Sequence, residues 1–395
     1  MKITFVTPWW GPEARGGAET ACRQTAMRLS AAGLEVEVLT TCSRSFLSAW
    51  DRDDYRPGAS TEAGVLVRRF ACRRRDRSAF DAINRKLLEG KPISAADEAT
   101  FIEESINSPD LVRFIEQDAT DRVFFFIPYL YGTTVQGAMA APERSVLIPC
   151  LHDEAYARLA PVRTMFERVR GIGFLSAPER ELAQELYGVQ DGAGRMLGLG
   201  VQGGQGDAAR FMARHGSEPF VLYVGRKDAT KGTPLLVEAF LRYKAAHPGP
   251  LRLLLAGPGT VDTRGSPFVT DLGYLSEADK HDAFAAAAVF CNPSWNESFS
   301  IVLMEAWLAG IPALVHARCA VTRDHVRRAK GGLYFHTPAE FTAALELLLD
   351  PELGGRMGAN GRRYVELNFT WDAVVRRYLA ALEAWGFADA THPVT

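Results

Sequence analysis

The sequence lacks the long apolar run of a membrane-spanning helix, since no segment approaches the roughly 18 uninterrupted apolar residues that such a helix needs. It also lacks a large net charge, because 45 Lys and Arg residues nearly balance 47 Asp and Glu residues. That balance argues against a protein that binds nucleic acid over its whole surface. The N-terminus has only a short apolar run and no small residues typical of a cleavage site, so we expect no signal peptide.

Paired cysteines are also missing. The six cysteines are scattered along the chain without a CxxC pair, which argues against a structural metal site and a disulfide framework. A reduced, cytoplasmic protein is the simplest interpretation. What the chain does have is a globular composition, with 47% hydrophobic and 23% charged residues. Its 395 residues are too many for one ordinary core, so two domains are expected.

The N-terminal stretch predicts a strand, a glycine-containing loop, a helix and a second strand. The strands are predicted at Lys2–Thr7 and Glu35–Thr40, and the helix from about residue 18 to residue 32. This order is typical of the opening of a doubly wound α/β domain. Gly16 and Gly17 at the helix start would let a phosphate or a sugar approach the backbone closely, whereas an ordinary tight turn is the alternative interpretation.

An insertion over about residues 44–120 is predicted to be helical. It includes a strand predicted at Val65–Phe70 and three helices predicted within 78–120, with Ser94 and Ser108 as helix start signals. Within it, eight basic and two acidic residues lie between Arg68 and Lys86. Such a cluster is more commonly a solvated face, and contact with an anionic membrane surface or with an acidic acceptor is the alternative. The protein is therefore expected in the cytoplasm, with a peripheral contact at the inner face of the membrane as a further expectation.

A histidine follows a second buried strand of this first domain. His152 comes shortly after the strand predicted at 145–148, at the edge where open α/β sheets bind ligands. The alternative is a structural histidine whose acidic neighbours begin the next helix.

The stretch 188–218 is rich in Gly, Gln and Asp, and its segment GLGVQGGQGD is the best candidate for a linker. After it the α/β alternation restarts, with strands at 220–224, 251–256 and 289–292 and a loop at 317–328. We therefore expect a first domain at 1–200, joined by a C-terminal helix at about 371–387, and a second domain at 201–370.

Two cations mark the first loop of the second domain. Arg226 and Lys231 lie between Gly225 and Gly232, directly after the strand at 220–224. They could clamp a diphosphate, because Arg presents a planar fork of donors and Lys a point charge. Ordinary surface charge is the alternative.

The stretch 293–312, PSWNESFSIVLMEAWLAGIP, predicts a buried helix that begins after a charged loop. Ser298 and Ser300 are good N-cap residues, and Gly310 fits the end of the helix. Glu297 would then precede the helix N-terminus, and Glu305 would lie about two turns inside it. Free backbone N–H groups between two carboxylates fit an anion flanked by hydroxyl-rich groups, such as a nucleotide diphosphate-sugar. A buried helix with one tolerated glutamate is the alternative.

Taken in order, these motifs resemble the retaining glycosyltransferases of family 4 (glycosyl transferases group 1). That family has the α/β GT-B fold, with two Rossmann-like doubly wound domains facing across a cleft. The resemblance runs from the first strand to the last helix, apart from the insertion, and Ser300 departs from it because the family most often has Gly there. The motifs are GG-AE at 16–19, GR-x4-KG at 225–232, AGPG at 256–259, GYLS at 273–276, and PS-x2-ESFS-x4-E-x4-G-x-P at 293–312.

The resemblance implies roles for individual residues. Arg226 and Lys231 would hold the donor diphosphate, Glu297 would meet the donor sugar, and Glu305 the ribose hydroxyls. His152 would lie at the reaction centre. Further donor contacts are implied for Gly17, Gly225, Tyr274, Leu275, Ser298, Phe299, Ser300 and Ile301.

The implied reaction moves a hexose-type sugar from a UDP- or GDP-sugar to a hydroxyl of a glycan or lipid-linked acceptor, in the synthesis of a cell-surface polysaccharide or glycoconjugate. The departing diphosphate would take the acceptor proton on the same face, with retention of configuration. No cofactor, metal or nucleic acid is expected. The alternatives are a GT-B nucleotide-sugar epimerase and a non-catalytic sugar-nucleotide-binding protein.

Overall fold

The computed structural model describes residues 1–14, 16–190 and 192–387, and it contains two compact units. Unit 1 comprises Met1–Leu199 and Val374–Thr395, and unit 2 comprises Gly200–Ala373. Both are doubly wound α/β units, as the strand and helix patterns predict.

Unit 1 is built on one eight-stranded sheet. Its strands are β1 (Lys2–Thr7), β2 (Val36–Thr41), β3 (Gly58–Glu62), β4 (Val65–Phe70), β5 (Arg122–Phe126), β6 (Ser145–Leu147), β7 (Gly171–Phe174) and β8 (Gly194–Met196). The strand order is β3-β4-β2-β1-β5-β6-β7-β8, and every pair is parallel except β3 and β4. The antiparallel strand β3 lies inside the insertion that was predicted to be helical. Its sequence GASTE is polar and almost wholly exposed, so it carries no hydrophobic alternation that would have predicted a strand.

The helices of unit 1 include the three that were predicted in the insertion. Ser94 and Ser108 cap two of them, each accepting a hydrogen bond from a backbone N–H of the first turn. The helices are α1 (Gly17–Ala31), α2 (Arg77–Leu88), α3 (Ala95–Glu103), α4 (Pro109–Gln117), α5 (Gly132–Ala140), α6 (Ala160–Arg168) and α7 (Ala177–Tyr187).

Unit 2 has a six-stranded, all-parallel sheet in the order β11-β10-β9-β12-β13-β14. Its strands are β9 (Phe220–Val224), β10 (Arg252–Ala256), β11 (Val269–Gly273), β12 (Val289–Asn292), β13 (Ala313–His316) and β14 (Gly332–Phe335). Its helices are α8 (Ala208–His215), α9 (Thr233–Ala246), α10 (Glu277–Ala286), α11 (Ile301–Leu308), α12 (Ala320–Ala329), α13 (Pro338–Leu349) and α14 (Pro351–Asn368).

Two of these helices lie where the sequence predicted loops. The linker prediction over 188–218 missed α8, which Asp207 caps and whose Phe211 packs on Phe220. The loop predicted at 317–328 is largely α12. Its buried stripe includes the polar residues Thr322 and His325, so hydrophobic spacing alone does not reveal the helix.

The last helix, α15 (Trp371–Ala384), extends into the C-terminal segment of unit 1. Tyr378 and Trp385 pack their rings against Phe125 of β5, with centroids 5.8 and 6.3 Å away. Trp385 also donates from Nε1 to the carbonyl of Ala193, and Arg377 donates to the carbonyl of Leu197. The end of the described chain therefore completes the core of the unit in which the chain begins.

Candidate active site

The strand order of unit 2 brings two loops together. β9 and β12 are neighbours, although α9, β10, β11 and α10 separate them in the sequence, and the order reverses between them. Open α/β sheets bind ligands at such a reversal, outside the carboxyl ends of the strands. The loops that follow, 225–232 and 293–300, touch at Gly232. Its φ is +72°, and an added Cβ would lie 2.4 Å from the carbonyl oxygen of Pro293.

Lys231 and Glu297 form an ion pair across these two loops. The Nζ of Lys231 lies 2.7 Å from Oε1 of Glu297, and both side chains are mostly buried. Burial strengthens such a charge-assisted bond and makes each charge costly to leave alone. Two of the residues predicted to bind the donor are therefore in direct contact.

Arg226 is held by its own loop. Its guanidinium pairs with Asp228 and contacts the hydroxyl of Thr230 at 3.3 Å, with about half of the side chain exposed. Asp228 also accepts from the backbone N–H of Lys231. Burial raises the pKa of Asp228, but hydrogen bonds from Thr230 and Arg226 outweigh it and lower the pKa overall. Asp228 thus orients both predicted diphosphate-binding cations from one position.

The N-terminus of α11 differs from the predicted capping. Ser300 is the N-cap residue, but its backbone is left-handed, with φ 69° and ψ 73°, and its hydroxyl does not cap the helix. The hydroxyl instead accepts from Nδ2 of Asn292 at 3.0 Å. Ser298 lies two residues before the N-cap and outside the helix. The left-handed backbone gives a physical reason for the glycine that most relatives are expected to have at this position.

Glu305 is the fifth residue of α11, which places it little more than one turn inside the helix rather than the predicted two. Lys280 of α10 pairs with its Oε1 at 2.9 Å, and both side chains are nearly buried. Burial raises the pKa of Glu305, and the Lys280 ammonium opposes this shift. Its other oxygen, Oε2, is buried and has no hydrogen-bond partner among the described residues. An uncompensated buried acceptor is costly unless a ligand donates to it.

Three side chains near Glu305 could hold a metal ion by distance alone. Ligand atoms of Glu277, His281 and Glu305 lie within 4.8 Å of one another. The Lys280 ammonium, however, bonds to both Glu277 and Glu305, each at 2.9 Å. In this arrangement the two carboxylates already face a protein cation.

The remaining predicted donor-binding residues surround this edge of unit 2. Gly225 follows β9 directly, and Tyr274 and Leu275 follow β11, with Tyr274 about half exposed. Phe299 is buried, and its ring packs edge-on against His325 and Phe369. Ile301 opens α11, whose first N–H groups lack intrahelical partners, as in any helix.

Two predicted residues belong to unit 1. Gly17 is exposed at the first position of α1, and an added Cβ there would meet nothing within 4 Å. His152 is partly buried in the loop after β6. Glu179 anchors that loop, because its carboxylate accepts from the backbone N–H groups of Leu151 and Leu175 at 2.7 and 2.6 Å. Burial raises the pKa of Glu179 to about 7 against these hydrogen bonds.

Three residues of the site region were not predicted from the sequence. For Asp228, the sequence signal was its position between the two cations Arg226 and Lys231. For Glu179, the signal was an acidic residue three positions after the serine that caps α7. No sequence signal pairs Lys280 with Glu305, because their contact arises only when α10 packs beside α11.

Comparison with known proteins confirms the resemblance over unit 2. The model of the family "Glycosyl transferases group 1" matches residues 218–351. D-inositol 3-phosphate glycosyltransferase of Acidothermus cellulolyticus is 30% identical over 220 residues, which cover 49% of each chain. The chain thus spans about half the length of the curated relatives it matches.

Solved structures resemble the chain over nearly its whole length. Sucrose-phosphate synthase of Thermosynechococcus elongatus has a TM-score of 0.71 at 19% identity, covering 98% of this chain and 100% of the other. The Anabaena protein HepE, in complex with UDP-glucose, has a TM-score of 0.68 at 14% identity, covering 97% and 100%. These likenesses confirm the predicted GT-B fold of two Rossmann-like units.

No helix among the described residues has the length and apolarity that crossing a bilayer requires. The six cysteines are all free thiols.

Proposed function

We propose that the protein is a retaining glycosyltransferase. It moves a hexose-type sugar from a nucleotide-diphosphate donor to a hydroxyl of a glycan or lipid-linked acceptor in the synthesis of a cell-surface polysaccharide or glycoconjugate. The donor binds to unit 2 at the loops after β9 and β12 and at the start of α11. The family match to residues 218–351 supports the placement of the donor in this unit.

One observation carries the proposal: two carboxylates with different tasks flank the same helix start. Glu297 precedes α11 and is neutralised by Lys231, while Glu305 lies inside it and keeps one buried oxygen unused. The unused oxygen can accept from a ribose hydroxyl, and the free N–H groups of the first turn can donate to a phosphate. A sugar, a diphosphate and a ribose in sequence have the polar groups that these residues require.

The chemistry needs little acid–base catalysis from the protein. As the bond between the anomeric carbon and the donor phosphate oxygen breaks, negative charge develops on the departing diphosphate. Arg226, Lys231 and the helix start would stabilise that charge. The diphosphate takes the proton of the acceptor hydroxyl on the same face, so that the configuration is kept. In unit 1, His152 and Gly17 are proposed to contribute to the reaction centre and the donor phosphate contact.

Names of similar proteins support the class of the donor. HepE was solved in complex with UDP-glucose, and other relatives are named as glycosyltransferases or a mannosyltransferase. A UDP- or GDP-hexose is therefore the first class of donor to test. No metal is proposed in catalysis, since the Lys280 ammonium, Lys231 and Arg226 can supply the positive charge.

The proposal is tested by screening nucleotide-sugars for thermal stabilisation of the whole chain. A donor at about 100 times its Kd should add about 2.7 kcal/mol to the stability of the folded state. UDP-glucose, GDP-mannose and their free nucleotides form the core of the panel. Glu305→Gln is the matched variant, because it keeps the shape of the side chain but replaces one acceptor oxygen by a donor group. We expect it to lose most of the stabilisation, and equal stabilisation of both proteins would contradict the proposed ribose contact.

The reaction itself separates this function from the alternatives. A transferase releases the nucleoside diphosphate slowly from the donor in water and faster with an acceptor. An epimerase instead converts the donor sugar without acceptor or release, and a binding protein does neither. Repeating the assay with EDTA tests the absence of a metal, since a metal-dependent reaction would stop.

A further inference from the structure

The basic cluster, defined as the eight Arg and Lys residues from Arg68 to Lys86, is mostly neutralised within unit 1. Five of its members form ion pairs, which leaves few charges for a membrane surface. Arg68 pairs with Glu37, Arg69 with Glu62, Arg73 with Glu103 and Glu104, Arg77 with Asp81, and Lys86 with Asp97. For Arg74, Arg75 and Arg85 no ion pair occurs among the described residues, and Arg74 and Arg85 are simply exposed.

Arg75 is different, because its guanidinium packs against two aromatic rings. Its guanidinium carbon lies 4.8 Å from the ring centroid of Trp50 and 4.7 Å from that of Phe80. The residue is only partly exposed, and its Nη1 is buried with no hydrogen-bond partner among the described residues. The two rings also contact each other, with centroids 5.6 Å apart, so both pack against the guanidinium, while at least one of its donor groups stays unused.

An arrangement of this kind is costly in the free protein. A buried donor without an acceptor loses its hydrogen bonds to water without replacement, and the cost is greater when the group is charged. Burial lowers the pKa of Arg75, and the carboxylates of Asp81 and Asp51 oppose the shift without forming an ion pair. Arg73, two residues earlier, has its charge neutralised in the usual way, because its guanidinium forms ion pairs with two glutamates. The missing acceptor of Arg75 thus calls for an explanation.

Arg75 lies close to the point where the strand order of unit 1 reverses, because its neighbour Trp50 contacts Trp9 and Tyr131 in the loops after β1 and β5. It lies in the loop after β4, beside Trp50 of the loop after β2, at the carboxyl edge of a parallel sheet. The Trp50 loop also exposes apolar surface, because Leu47 is 92% and Phe46 48% exposed, and the Phe46 ring lies 5.6 Å from that of Trp50. A cation fixed beside exposed apolar groups suits a ligand with an anionic end and a less polar body.

We propose that Arg75, packed against Trp50 and Phe80, binds an oxyanion of the acceptor, either a phosphate or a carboxylate. The planar fork of the guanidinium donates to two oxygens at once, which is the geometry that both groups share. Phe46 and Leu47 contact the uncharged part of the same molecule. In assigning the ligand as an acceptor, the inference rests on the proposed transferase function. The anion site itself depends only on the contacts of Arg75.

The test measures binding of named probes to the whole chain by calorimetry. The soluble probes are glucose 6-phosphate and glucuronate, with glucose as the neutral comparison. Vesicles of phosphatidylcholine with and without phosphatidic acid test a lipid source of the same oxyanion. We expect an anionic probe to bind the wild-type chain at least about 10-fold more tightly than its neutral comparison. Arg75→Gln should abolish that preference.

Matched variants separate Arg75 from nearby charge and from the donor site. Arg74→Gln removes one positive charge from the adjacent, exposed position and should leave binding unchanged. Arg75→Lys keeps the charge but loses the planar fork, so binding should weaken and not disappear. Lys231→Ala removes a phosphate-binding cation of unit 2, and the Arg75-dependent preference should persist in it. Thermal unfolding of each variant shows that the comparison is made between folded proteins.

The outcomes are distinct. Arg75-dependent binding of a soluble probe supports a sugar phosphate or uronate acceptor, and such binding to anionic vesicles alone supports a lipid phosphate. Equal binding by wild type and Arg75→Gln, or equal loss in Arg74→Gln, overturns the inference. If nucleotide-sugars stabilise the chain but no probe shows Arg75-dependent binding, the transferase proposal still stands. If a probe binds through Arg75 but no nucleotide-sugar stabilises the chain, the anion site has no role in binding an acceptor.

Discussion

In unit 2 the loops at the centre of the sheet carry charged residues, whereas in unit 1 the corresponding loops carry aromatic ones. Lys231 and Glu297 meet where β9 and β12 adjoin. Trp9 and Tyr131 meet where β1 and β5 adjoin, with ring centroids 4.9 Å apart. The same topology thus brings together polar side chains in one unit and buried aromatic rings in the other. Topology places the loops, and side chains decide what each edge can bind.

The carboxyl edge of the unit 2 sheet, with Lys231 and Glu297 (the charged edge), has a property that the carboxyl edge of the unit 1 sheet, with Trp9 and Tyr131 (the aromatic edge), lacks. Each described cation of the proposed donor site has a carboxylate partner in the free protein, whether Asp228, Glu297 or Glu305. A ligand must therefore exchange partners with groups that are already paired. At the aromatic edge, Arg75 has no such partner among the described residues, so a ligand anion would add an interaction instead of replacing one.

The comparison is tested most strongly at Lys231. We expect Lys231→Ala to lower turnover by at least about 100-fold, the effect of losing one group that stabilises developing charge. It also leaves Glu297 without its cation in the position where negative charge develops. Steady-state assays with the best donor from the screen give the measurement.

Arg242→Ala is the control, because it removes a cation of the same unit that is exposed and pairs with Glu238 along α9. Near-normal turnover of Lys231→Ala with every donor would remove Lys231 from the site. It would also reduce the charged edge to a structural feature.

Acid should weaken unit 2 selectively, because His325 is buried beneath Phe299 of the donor loop. Burial lowers the pKa of His325 from 6.5 to about 3. Below pH 6.5 the imidazole of His325 therefore takes up a proton in the unfolded chain but not in the folded chain, so the free energy of unfolding falls as the pH falls. Between pH 7 and pH 5 the free energy of unfolding decreases by about 2 kcal/mol.

Hydrogen exchange at the two pH values measures the effect, with correction for the intrinsic exchange rates. Peptides of α12 should lose protection in the wild type and keep it in His325→Gln. Glu179 of unit 1 has a raised pKa of about 7, so its contribution changes in the opposite direction, being lost as the pH rises from 4.5 to 7. Equal loss of protection in both units at pH 5 would contradict the assignment to His325.

A smaller effect is expected at Ser300. Replacing it by Gly removes the strain of a left-handed residue, about 1 kcal/mol, but loses the hydrogen bond from Asn292. We expect Ser300→Gly to lie within about 0.5 kcal/mol of the wild type in urea unfolding. Ser300→Ala keeps the strain and loses the bond, so it should be less stable by about 1 kcal/mol. If the alanine variant is as stable as the glycine variant, the strain at Ser300 is negligible.

The sequence predicted much of unit 2 because its motifs follow its strands in a regular order. The positions of Arg226, Lys231 and Glu297 depend on strand ends, which hydrophobic runs reveal, and on a strand order typical of the fold. Lys280 could not be predicted, since its role comes from the packing of two helices. The backbone of Ser300 was equally hidden, because serine is a common cap and its left-handed conformation is set by the loop before it.

Unit 1 was harder to predict at its carboxyl edge. From the sequence alone, aromatic residues such as Trp50 and Phe80 cannot be distinguished from ordinary core residues, and the run of arginines indicates a single basic surface. Only coordinates separate Arg73, which has two carboxylate partners, from Arg75, which has two rings. Because partners of this kind come from different loops, no local sequence pattern indicates them.

The return of α15 to unit 1 has a consequence for synthesis on the ribosome. Residues 200–373 emerge as a continuous stretch and can complete their sheet while translation continues. Unit 1 is completed later, because Tyr378 and Trp385 pack on Phe125, and Trp385 also packs on Gly171. We therefore expect the later-synthesised unit to mature first. A nascent chain stalled before residue 371 would hold an uncovered apolar face on β5, and chaperones bind such faces.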